Sequence, residues 1–183
     1  MAPKIKLVEA KSKLQNSCYY TIVNKMKITK PKIDDLNELL DLWRGQYDYH
    51  HGLDGEYYVA NSSALDKKFR KYLEKAINKD DPFIRVATEG DKIVGFITFE
   101  ISKTDYFDTK IKKYGEVIEL FVDKACRGKG IGRRLMQAAE DFLREKSISH
   151  IKIQCSRFNK KAISFYQHLE YVTRQVFMFR KIL

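Results

Sequence analysis

The stretch Val117-Ile-Glu-Leu-Phe-Val-Asp-Lys-Ala-Cys-Arg-Gly-Lys-Gly-Ile-Gly132 decides the fold of this 183-residue chain. Its apolar first half is typical of a strand, its second half is a loop with three glycines, and an amphipathic helix pattern follows. Glycines let a backbone approach an anion closely, and the amide N–H groups at the start of a helix hold that anion. Arg127 and Lys129 add positive charge. The stretch therefore predicts a cradle for a phosphorylated cofactor.

The spacing of the loop residues narrows the kind of cradle. A P-loop needs Gly-x-x-x-x-Gly-Lys followed by Ser or Thr, a string that the chain lacks. A Rossmann fingerprint needs Gly-x-Gly-x-x-Gly, whereas the third glycine here comes one residue too early. What remains is Arg-x-x-Gly-x-Gly, formed by Arg127, Gly130 and Gly132. This string resembles the pyrophosphate-binding signature of the GNAT acyl-CoA N-acyltransferases.

Two further segments carry the same resemblance. Leu120-Phe121-Val122, just before the loop, resembles the central strand of the family. Farther along, Asn159-Lys-Lys-Ala-Ile-Ser-Phe-Tyr-Gln-His-Leu-Glu-Tyr171 resembles the family pattern Asn-x-x-Ala-x-x-Phe-Tyr-x-x-x-Gly-Phe. The chain departs from the family at two positions, because Lys124 replaces a usual proline and Glu170 replaces the glycine after the second helix. If Glu170 is left-handed, its side chain costs about 1 kcal/mol.

The order of sequence patterns predicts an α+β fold. The expected three-layer α/β/α arrangement has a mixed, mostly antiparallel central sheet flanked by helices, as in the resembled family. Residues 1–25 are expected to be a basic N-terminal extension and residues 26–183 the GNAT-like domain. The predicted elements are strands at 26–29, 83–88, 92–102, 117–122, 148–154 and 173–181, helices starting near 34 and 131, helices at 63–78 and after 159, and a loop at 46–61.

The amino-acid composition and charge of the chain argue against some classes of partner. The formal net charge is +11, and residues 1–30 hold seven lysines and one glutamate, a net charge of +6. Five of these lysines and the glutamate lie in residues 1–25, so part of the basic charge lies outside the enzyme-like region. Without a nucleic-acid motif we expect no nucleic-acid partner. No apolar run reaches the length of a membrane span, so no membrane partner is expected. Three cysteines without Cys-x-x-Cys spacing, and no visible secretory signal, favour a reducing cytoplasm.

The resemblance implies acetyl-CoA as donor. Its pyrophosphate would lie on the main-chain amides of the loop, and backbone groups of Phe121 and Val122 would pair with the pantetheine arm or polarise the thioester carbonyl. A splay beside the central strand makes room for this arm in the family. Asn159 matches a position that contacts CoA, and a helix N-cap is an equally good explanation of it. The implied cradle residues are Arg127, Gly128, Lys129, Gly130, Ile131 and Gly132.

The resemblance also implies the acid and the base. Tyr166 matches the tyrosine that protonates the departing thiolate, with aromatic packing as the alternative explanation. Glu116 and Glu119 are both candidates for the base that removes a proton from the acceptor amine. Strand alternation predicts that these two carboxylates point to opposite faces of the sheet. Different members of the family use one position or the other, so the resemblance leaves both candidates for the base, and we favour Glu119 over Glu116.

The cluster Tyr47-Asp-Tyr-His-His51 follows the first predicted helix. It either contacts the acceptor or forms an aromatic-rich loop packed on the core, and we favour the second reading. His50 and His51 are adjacent and lack a spaced third ligand, so no metal site is expected.

These observations predict an N-acetyltransferase that moves acetyl from acetyl-CoA to a primary amine by direct attack in a ternary complex. The acceptor partner is a small-molecule amine or a protein or peptide amine, and a homodimer remains open as an assembly. A non-catalytic acyl-CoA sensor on the same fold is the alternative, and it would dispense with Tyr166. A basic RNA-associated protein is a third reading, which steep salt dependence of binding would support.

Overall fold

The computed structural model describes residues 26–182, so the predicted extension at 1–25 lies outside the described residues. Two short 3-10 turns, at Ile33–Asp35 and Lys124–Cys126, precede helices. The chain forms one compact unit up to Ile153 and another from Gln154, and each is described by itself. The elements in chain order are β1 (Met26–Thr29), α1 (Leu36–Leu53), α2 (Ser63–Lys79), β2 (Phe83–Glu89), β3 (Lys92–Lys103), β4 (Lys113–Val122), α3 (Ile131–Glu145), β5 (Ile151–Ile153) and α4 (Lys160–Gln167).

The five strands form one sheet in the order β1-β2-β3-β4-β5. Strands β1 to β4 are antiparallel, and β5 runs parallel to β4. Neighbouring strand residues point to opposite faces. Ile84 accordingly packs in the core under α1 and α2, whereas the Phe83 ring lies 4.4 Å from that of Phe142 on α3. The predicted α+β class with a mixed, mostly antiparallel sheet between helices is confirmed. Among the described helices, none combines the length and apolarity that a membrane crossing needs.

The core under α1 and α2 is built around Trp43. Its ring stacks on Phe96 of β3 at 4.9 Å and lies 5.0 Å from Phe69 of α2. Leu39 and Leu73 are completely buried beside it. Buried aromatic rings supply large apolar areas and geometric preferences. This cluster therefore fixes α1 and α2 against the sheet.

Helix α1 is longer than the sequence predicts. A loop was expected at 46–61, but α1 continues to Leu53 through two glycines. The buried face of the helix continues past Trp43, because Gln46, three residues later, is also buried. A glycine inside a helix costs about 1 kcal/mol, which packing of the flanking residues offsets. The tyrosine–histidine cluster thus belongs to α1 and does not follow it.

Strand β4 contains a bulge that changes which side chains share a face. Thr98 pairs with Glu119 and Phe99 pairs with Val117, so Ile118 is the extra residue. Beyond it the alternation shifts by one residue. The prediction that the two candidate base carboxylates point to opposite faces is therefore wrong. A bulge arises from pairing with a neighbouring strand, which local alternation does not reveal.

The predicted final strand is also absent from the described residues. Residues 168–182 contain no helix or strand, although 173–181 are rich in β-favouring side chains. Val176 and Met178 are 79% and 89% exposed. A strand requires a partner for its backbone hydrogen bonds, and no described ladder includes this segment. The predicted strand at 148–154 is shortened for a similar reason, because only Ile151–Ile153 pair with β4.

Candidate active site

Within residues 26–153, the C-terminal half of β4 has a paired strand on one side only, and its other side is called the open edge here. Strand β5 pairs only with residues 115–117, and β3 covers the other side of β4 up to Val122. The Asp123 amide donates to the Val94 carbonyl on β3 at 2.9 Å. Backbone groups alternate in direction along an antiparallel strand, so those of Val122 point away from β3. No described strand pairs with this edge at Val122, where the resemblance implies that a pantetheine arm would add.

Phe121 and Val122 are therefore not equivalent. Phe121 pairs with Phe96, and a Cβ built on Gly95 would lie 2.8 Å from the Phe121 carbonyl oxygen. The backbone of Phe121 is engaged with β3, while its ring packs on the core under α1. Of the two residues predicted to meet a pantetheine arm, Val122 has its backbone groups on the open edge.

The loop after β4 has the backbone shape of an anion site. The Asp123 carboxylate accepts a hydrogen bond from the Ala125 amide at 2.8 Å and so starts the 3-10 turn. Gly128 and Gly130 are both left-handed, with φ of 79° and 78°, a conformation that glycine adopts without steric cost. Helix α3 begins at Ile131 with Gly130 at its N-cap and no side chain capping it. The first amides of α3 are thus open to a bound anion.

The two basic side chains of the loop turn toward the protein. The Nε of Arg127 donates to the Val122 carbonyl at 2.9 Å, and its guanidinium lies 5.3 Å from the ring centres of Phe121 and Tyr49. Lys129 lies 3.4 Å from the carboxylate of Glu89 at the end of β2. The structure therefore brings Arg127 to the open strand edge. Anion binding in the loop would rest mainly on main-chain amides.

Glu119 lies three residues before the strand end, on the face covered by α1. Residue Glu119 is half-buried, and burial raises the pKa of its carboxyl from about 4.5 to about 7. A hydrogen bond donated by Gln46 Nε2 to Glu119 Oε2 opposes this rise by favouring the ionised form. Gln46 is only 2% exposed. A carboxylate with a pKa near neutrality is suited to accepting a proton.

Glu116 has a different environment on the same face. Thr98 and Glu100 are two residues apart on β3, and they pair with Glu119 and Glu116 respectively. Residues paired across strands share a face, so both glutamates point toward α1 and α2. The Glu116 carboxylate lies 2.9 Å from Lys152 Nζ on β5. This ion pair occupies the Glu116 carboxylate.

Tyrosines border Glu119 as well. The Tyr72 hydroxyl donates to Thr98 Oγ1 at 3.2 Å, and burial raises the pKa of Tyr72. Burial, and then the charge of Glu119, raise the pKa of Tyr47. Both hydroxyls therefore stay protonated near neutral pH, and Glu119 is the group in this cluster that changes charge there.

The side chains of the Tyr47–His51 cluster pack against neighbouring rings of the same unit. Tyr47 lies 4.5 Å from Phe69 between ring centres, and His50 lies 5.0 Å from Tyr58. Burial lowers the pKa of His50. The Nδ1 of His51 lies 2.8 Å from the Tyr58 carbonyl oxygen. Residues 26–182 hold no group of three or more His, Cys, Asp or Glu residues placed to bind a metal ion.

The second unit holds the other two predicted site residues. Asn159 is buried and caps α4, since its Oδ1 accepts from the Ala162 amide at 3.1 Å. Tyr166 lies on α4 with its ring 5.2 Å from Phe165 and 5.8 Å from Tyr171. Glu170 is left-handed with φ of 65°, as its place in the motif suggested. The interpretation of Asn159 as a helix N-cap is thus confirmed.

Gln46 is a site residue that the sequence did not reveal. The expected helix ended just before it, so its polar side chain was assigned to a loop. The available signal was its spacing, because Gln46 lies three residues after Trp43 on the buried face. A polar residue in an apolar helical stripe must find a partner inside the fold.

These features match a known family. A family model described as "Acetyltransferase (GNAT) family" matches residues 36–171. The chain belongs to the GNAT family of acetyltransferases. This GNAT protein is 26% identical over 157 residues to an uncharacterized N-acetyltransferase of Methanocaldococcus jannaschii, covering 86% of the chain and 65% of that relative. It is 28% identical over 141 residues to an uncharacterized N-acetyltransferase of Archaeoglobus fulgidus, covering 77% of the chain and 89% of that relative.

Solved structures share the fold of this GNAT protein. A mutant protein from Bacillus halodurans superposes with a TM-score of 0.75 at 22% identity, covering 86% of this chain and 99% of the other. An aminoglycoside acetyltransferase from a soil metagenome, in complex with sisomicin, gives 0.64 at 23% identity, with 88% and 99% covered. A predicted acetyltransferase of Clostridium acetobutylicum with acetyl-CoA gives 0.64 at 14% identity, with 86% and 96% covered.

Proposed function

We propose that this protein transfers the acetyl group of acetyl-CoA to a primary amine, by direct attack of the amine in a ternary complex. One observation carries the proposal, namely the order of features along β4 and its loop. The carboxyl of Glu119, with its pKa near 7, comes first. Three residues later the backbone of Val122 faces an open edge, and the glycine loop follows. A base, a strand-like docking edge and an anion cradle thus lie in sequence along one segment.

On the donor side, the pantetheine arm would add to the open edge as an extra strand at Val122. The diphosphate would lie on the main-chain amides from Arg127 to Gly132, where two left-handed glycines precede the start of α3. The C. acetobutylicum relative with acetyl-CoA supports the same donor here. Acetyl-CoA is an intracellular metabolite, so the proposal keeps the reaction in the cytoplasm.

On the acceptor side, the amine must lose a proton before or during attack, because an ammonium group has no lone pair. A lysine-like amine has a pKa of about 10.4 in water, so a nearby base assists this step. Glu119 is partly ionised near neutral pH and receives the proton, while Glu116 is held by Lys152. Glu119 is therefore the proposed base, and Glu116 contributes negative charge that attracts a cationic acceptor.

The remaining steps follow from the chemistry of thioesters. The amine nitrogen forms a bond to the carbonyl carbon, and the N–H of Val122 on the open edge donates to the oxyanion. The C–S bond then breaks, and the thiolate takes a proton from Tyr166, as the sequence motif implies. The proton that the attacking nitrogen still carries is lost as the amide forms, and it returns through solvent to the Tyr166 phenolate. The acetylated amine and CoA leave, and Glu119 releases its proton to solvent. The proposed contact between Asn159 and CoA rests on the sequence motif alone.

The proposed acceptor is a small molecule with an unhindered primary amine. The relative solved with sisomicin is an aminoglycoside acetyltransferase, which supports acceptors of that size and charge. Glu100, Glu116 and Glu119 lie on one sheet face, which suits an acceptor that carries positive charge. Peptide amines form the comparison arm of the test.

The test is an amine-panel assay that measures CoA release at fixed acetyl-CoA. The panel contains an aminoglycoside, a linear polyamine, free amino acids and two peptides, one with a free N-terminus and one with an internal lysine. We expect release above background hydrolysis for at least one small amine, with kcat/KM falling on the acid side of about pH 7. Glu119→Gln should lower kcat/KM about a hundredfold, and Tyr166→Phe should lower kcat about ten- to a thousandfold with acetyl-CoA affinity retained. Acetyl-CoA binding without release for any amine would instead identify a sensor.

A further inference from the structure

Only one of the two polar atoms of the Gln46 side chain has a hydrogen-bond partner within residues 26–182. Gln46 is 2% exposed, on the face of α1 that packs against the sheet. Its Nε2 donates to Glu119 Oε2, whereas its Oε1 has no hydrogen-bond partner within residues 26–182. A buried amide oxygen without a partner costs about 1–3 kcal/mol. A methionine of similar length would pack at this position without that cost.

The two ends of a glutamine amide match the two protonation states of a carboxyl group. An ionised carboxylate only accepts hydrogen bonds, and it requires the NH₂ end of the amide. A protonated carboxyl carries an O–H donor, and it requires the carbonyl end. Rotation of the Gln46 amide by half a turn about its last side-chain bond exchanges these two ends in place.

We propose that Gln46 is a positioning residue that follows the proton on Glu119, donating from Nε2 to the carboxylate and, after rotation, accepting at Oε1 from the carboxylic acid. The inference rests on the proposed role of Glu119 as base. The proton taken from the acceptor amine moves to a Glu119 oxygen, and the rotated amide holds that O–H until solvent removes the proton. The oxygen that is unpartnered in the resting protein thus gains its partner during turnover.

The other charged and titratable groups around Glu119 do not compete with Gln46 for this role. Tyr47 of α1 and Tyr72 of α2 face it with raised pKa values, so they remain neutral. Glu100 on β3 and Glu116 on β4 share its face, and both are acidic. Lys152 of β5 is paired with Glu116. The amide of Gln46 is therefore the group that distinguishes the two charge states of Glu119.

The experiment reads the pKa of Glu119 without relying on activity. Carboxyl ¹³C NMR of glutamate-labelled full-length protein is recorded from pH 5 to 9 for the wild type and for Gln46→Met, which removes both amide ends at similar volume. The variant loses the hydrogen bonds to both forms of Glu119, and because the bond to the ionised carboxylate is the stronger of the two, the midpoint of Glu119 should rise by about one pH unit. The side-chain ¹⁵N resonance of Gln46 in the wild type should shift with the same midpoint as the Glu119 carboxyl. Leu40→Met, a buried change on the same helix, should leave the Glu119 midpoint in place.

Activity and a second variant sharpen the test. The acid limb of kcat/KM for Gln46→Met should move to higher pH by the same amount. The loss of kcat/KM relative to wild type should therefore be smaller at pH 9 than at pH 7. Gln46→Glu should raise the Glu119 midpoint further, since two carboxyls then share one proton. The inference would be overturned if the Glu119 midpoint were unchanged in folded Gln46→Met. It would also be overturned if the side-chain ¹⁵N resonance of wild-type Gln46 did not shift as Glu119 titrates. Full activity of Glu119→Gln would reject the base assignment separately, whatever the NMR midpoints show.

Discussion

The Nε of Arg127 donates to the main-chain carbonyl of Val122 at 2.9 Å, across the open edge of β4. The guanidinium also lies over the rings of Phe121 and Tyr49. This contact occupies the backbone group at which we place the pantetheine arm. Donor binding at this edge would therefore exchange an internal hydrogen bond for one to the ligand.

The first prediction separates main-chain from side-chain contributions to donor binding. Arg127→Met loses a positive charge near the diphosphate but frees the Val122 carbonyl, so calorimetry should show acetyl-CoA affinity within about fivefold of wild type. Gly130→Asp places a side chain at φ of 78° and a negative charge at the start of α3, and it should abolish binding. A hundredfold loss in Arg127→Met would instead make the guanidinium itself a phosphate ligand.

The second prediction concerns stability and the buried charge of Glu119. Its folded pKa, about 7, lies above its ordinary value near 4.5, so the folded state holds the proton more tightly than the unfolded state. Wild-type stability should therefore fall as pH rises from about 4.5 to about 7. Glu119→Gln removes this dependence and should be about 1–3 kcal/mol more stable than wild type at pH 8, with little difference at pH 4. Urea unfolding of both proteins at pH 8 and at pH 4 measures the difference in unfolding free energy. An equal difference at the two pH values would contradict a raised pKa for Glu119.

The third prediction tests the close approach of β3 and β4 beside the site. A Cβ on Gly95 would lie 2.8 Å from the Phe121 carbonyl oxygen, a contact that backbone movement alone could relieve. Gly95→Ala should destabilise the protein by about 1–3 kcal/mol. The matched change is Gly52→Ala in α1, where no described atom beyond its chain neighbours and the nearby backbone of the same helix lies within 4 Å of the added carbon. Gly52→Ala should stabilise the protein by about 0.5 kcal/mol. Thermal melts that rank the two variants in the reverse order would refute this description of the strand pair.

The fourth prediction uses the position where the chain departs from the family pattern. Glu170 is left-handed at φ of 65°, and a residue with a Cβ is strained there. Glu170→Gly should stabilise the protein by about 1 kcal/mol, whereas Glu170→Ala keeps the Cβ and should not. Chemical unfolding of the three proteins checks the ranking. A gain in Glu170→Ala equal to that in Glu170→Gly would point to the charge of the glutamate and not to its backbone conformation.

Local sequence patterns predicted the glycine loop and the helix after it. The need for glycine at 128 and 130 is a property of each residue's own backbone, and the apolar stripe of α3 has a fixed period. Family membership followed from the same stretch. Asn159 could likewise be expected to cap a helix, because its side chain bonds three residues ahead.

The features that the sequence did not predict depend on distant partners. The bulge at Ile118 exists only in register with Thr98 and Phe99 of β3, and it alone brings Glu116 and Glu119 to one face. The continuation of α1 past Gly45 depends on packing against the sheet, so Gln46 was missed. Side chains typical of a strand at 173–181 do not form one without a paired neighbour.

The most direct test of the central claim is a ¹⁵N amide NMR titration of the full chain with acetyl-CoA. The claim is that the diphosphate lies on the main-chain amides at the start of α3, so the resonances of Gly128, Gly130, Ile131 and Gly132 should show the largest shifts and should saturate together. Gly130→Asp should show none of these shifts at the same concentration. Saturable binding of acetyl-CoA that leaves the four wild-type amides unmoved would contradict the account.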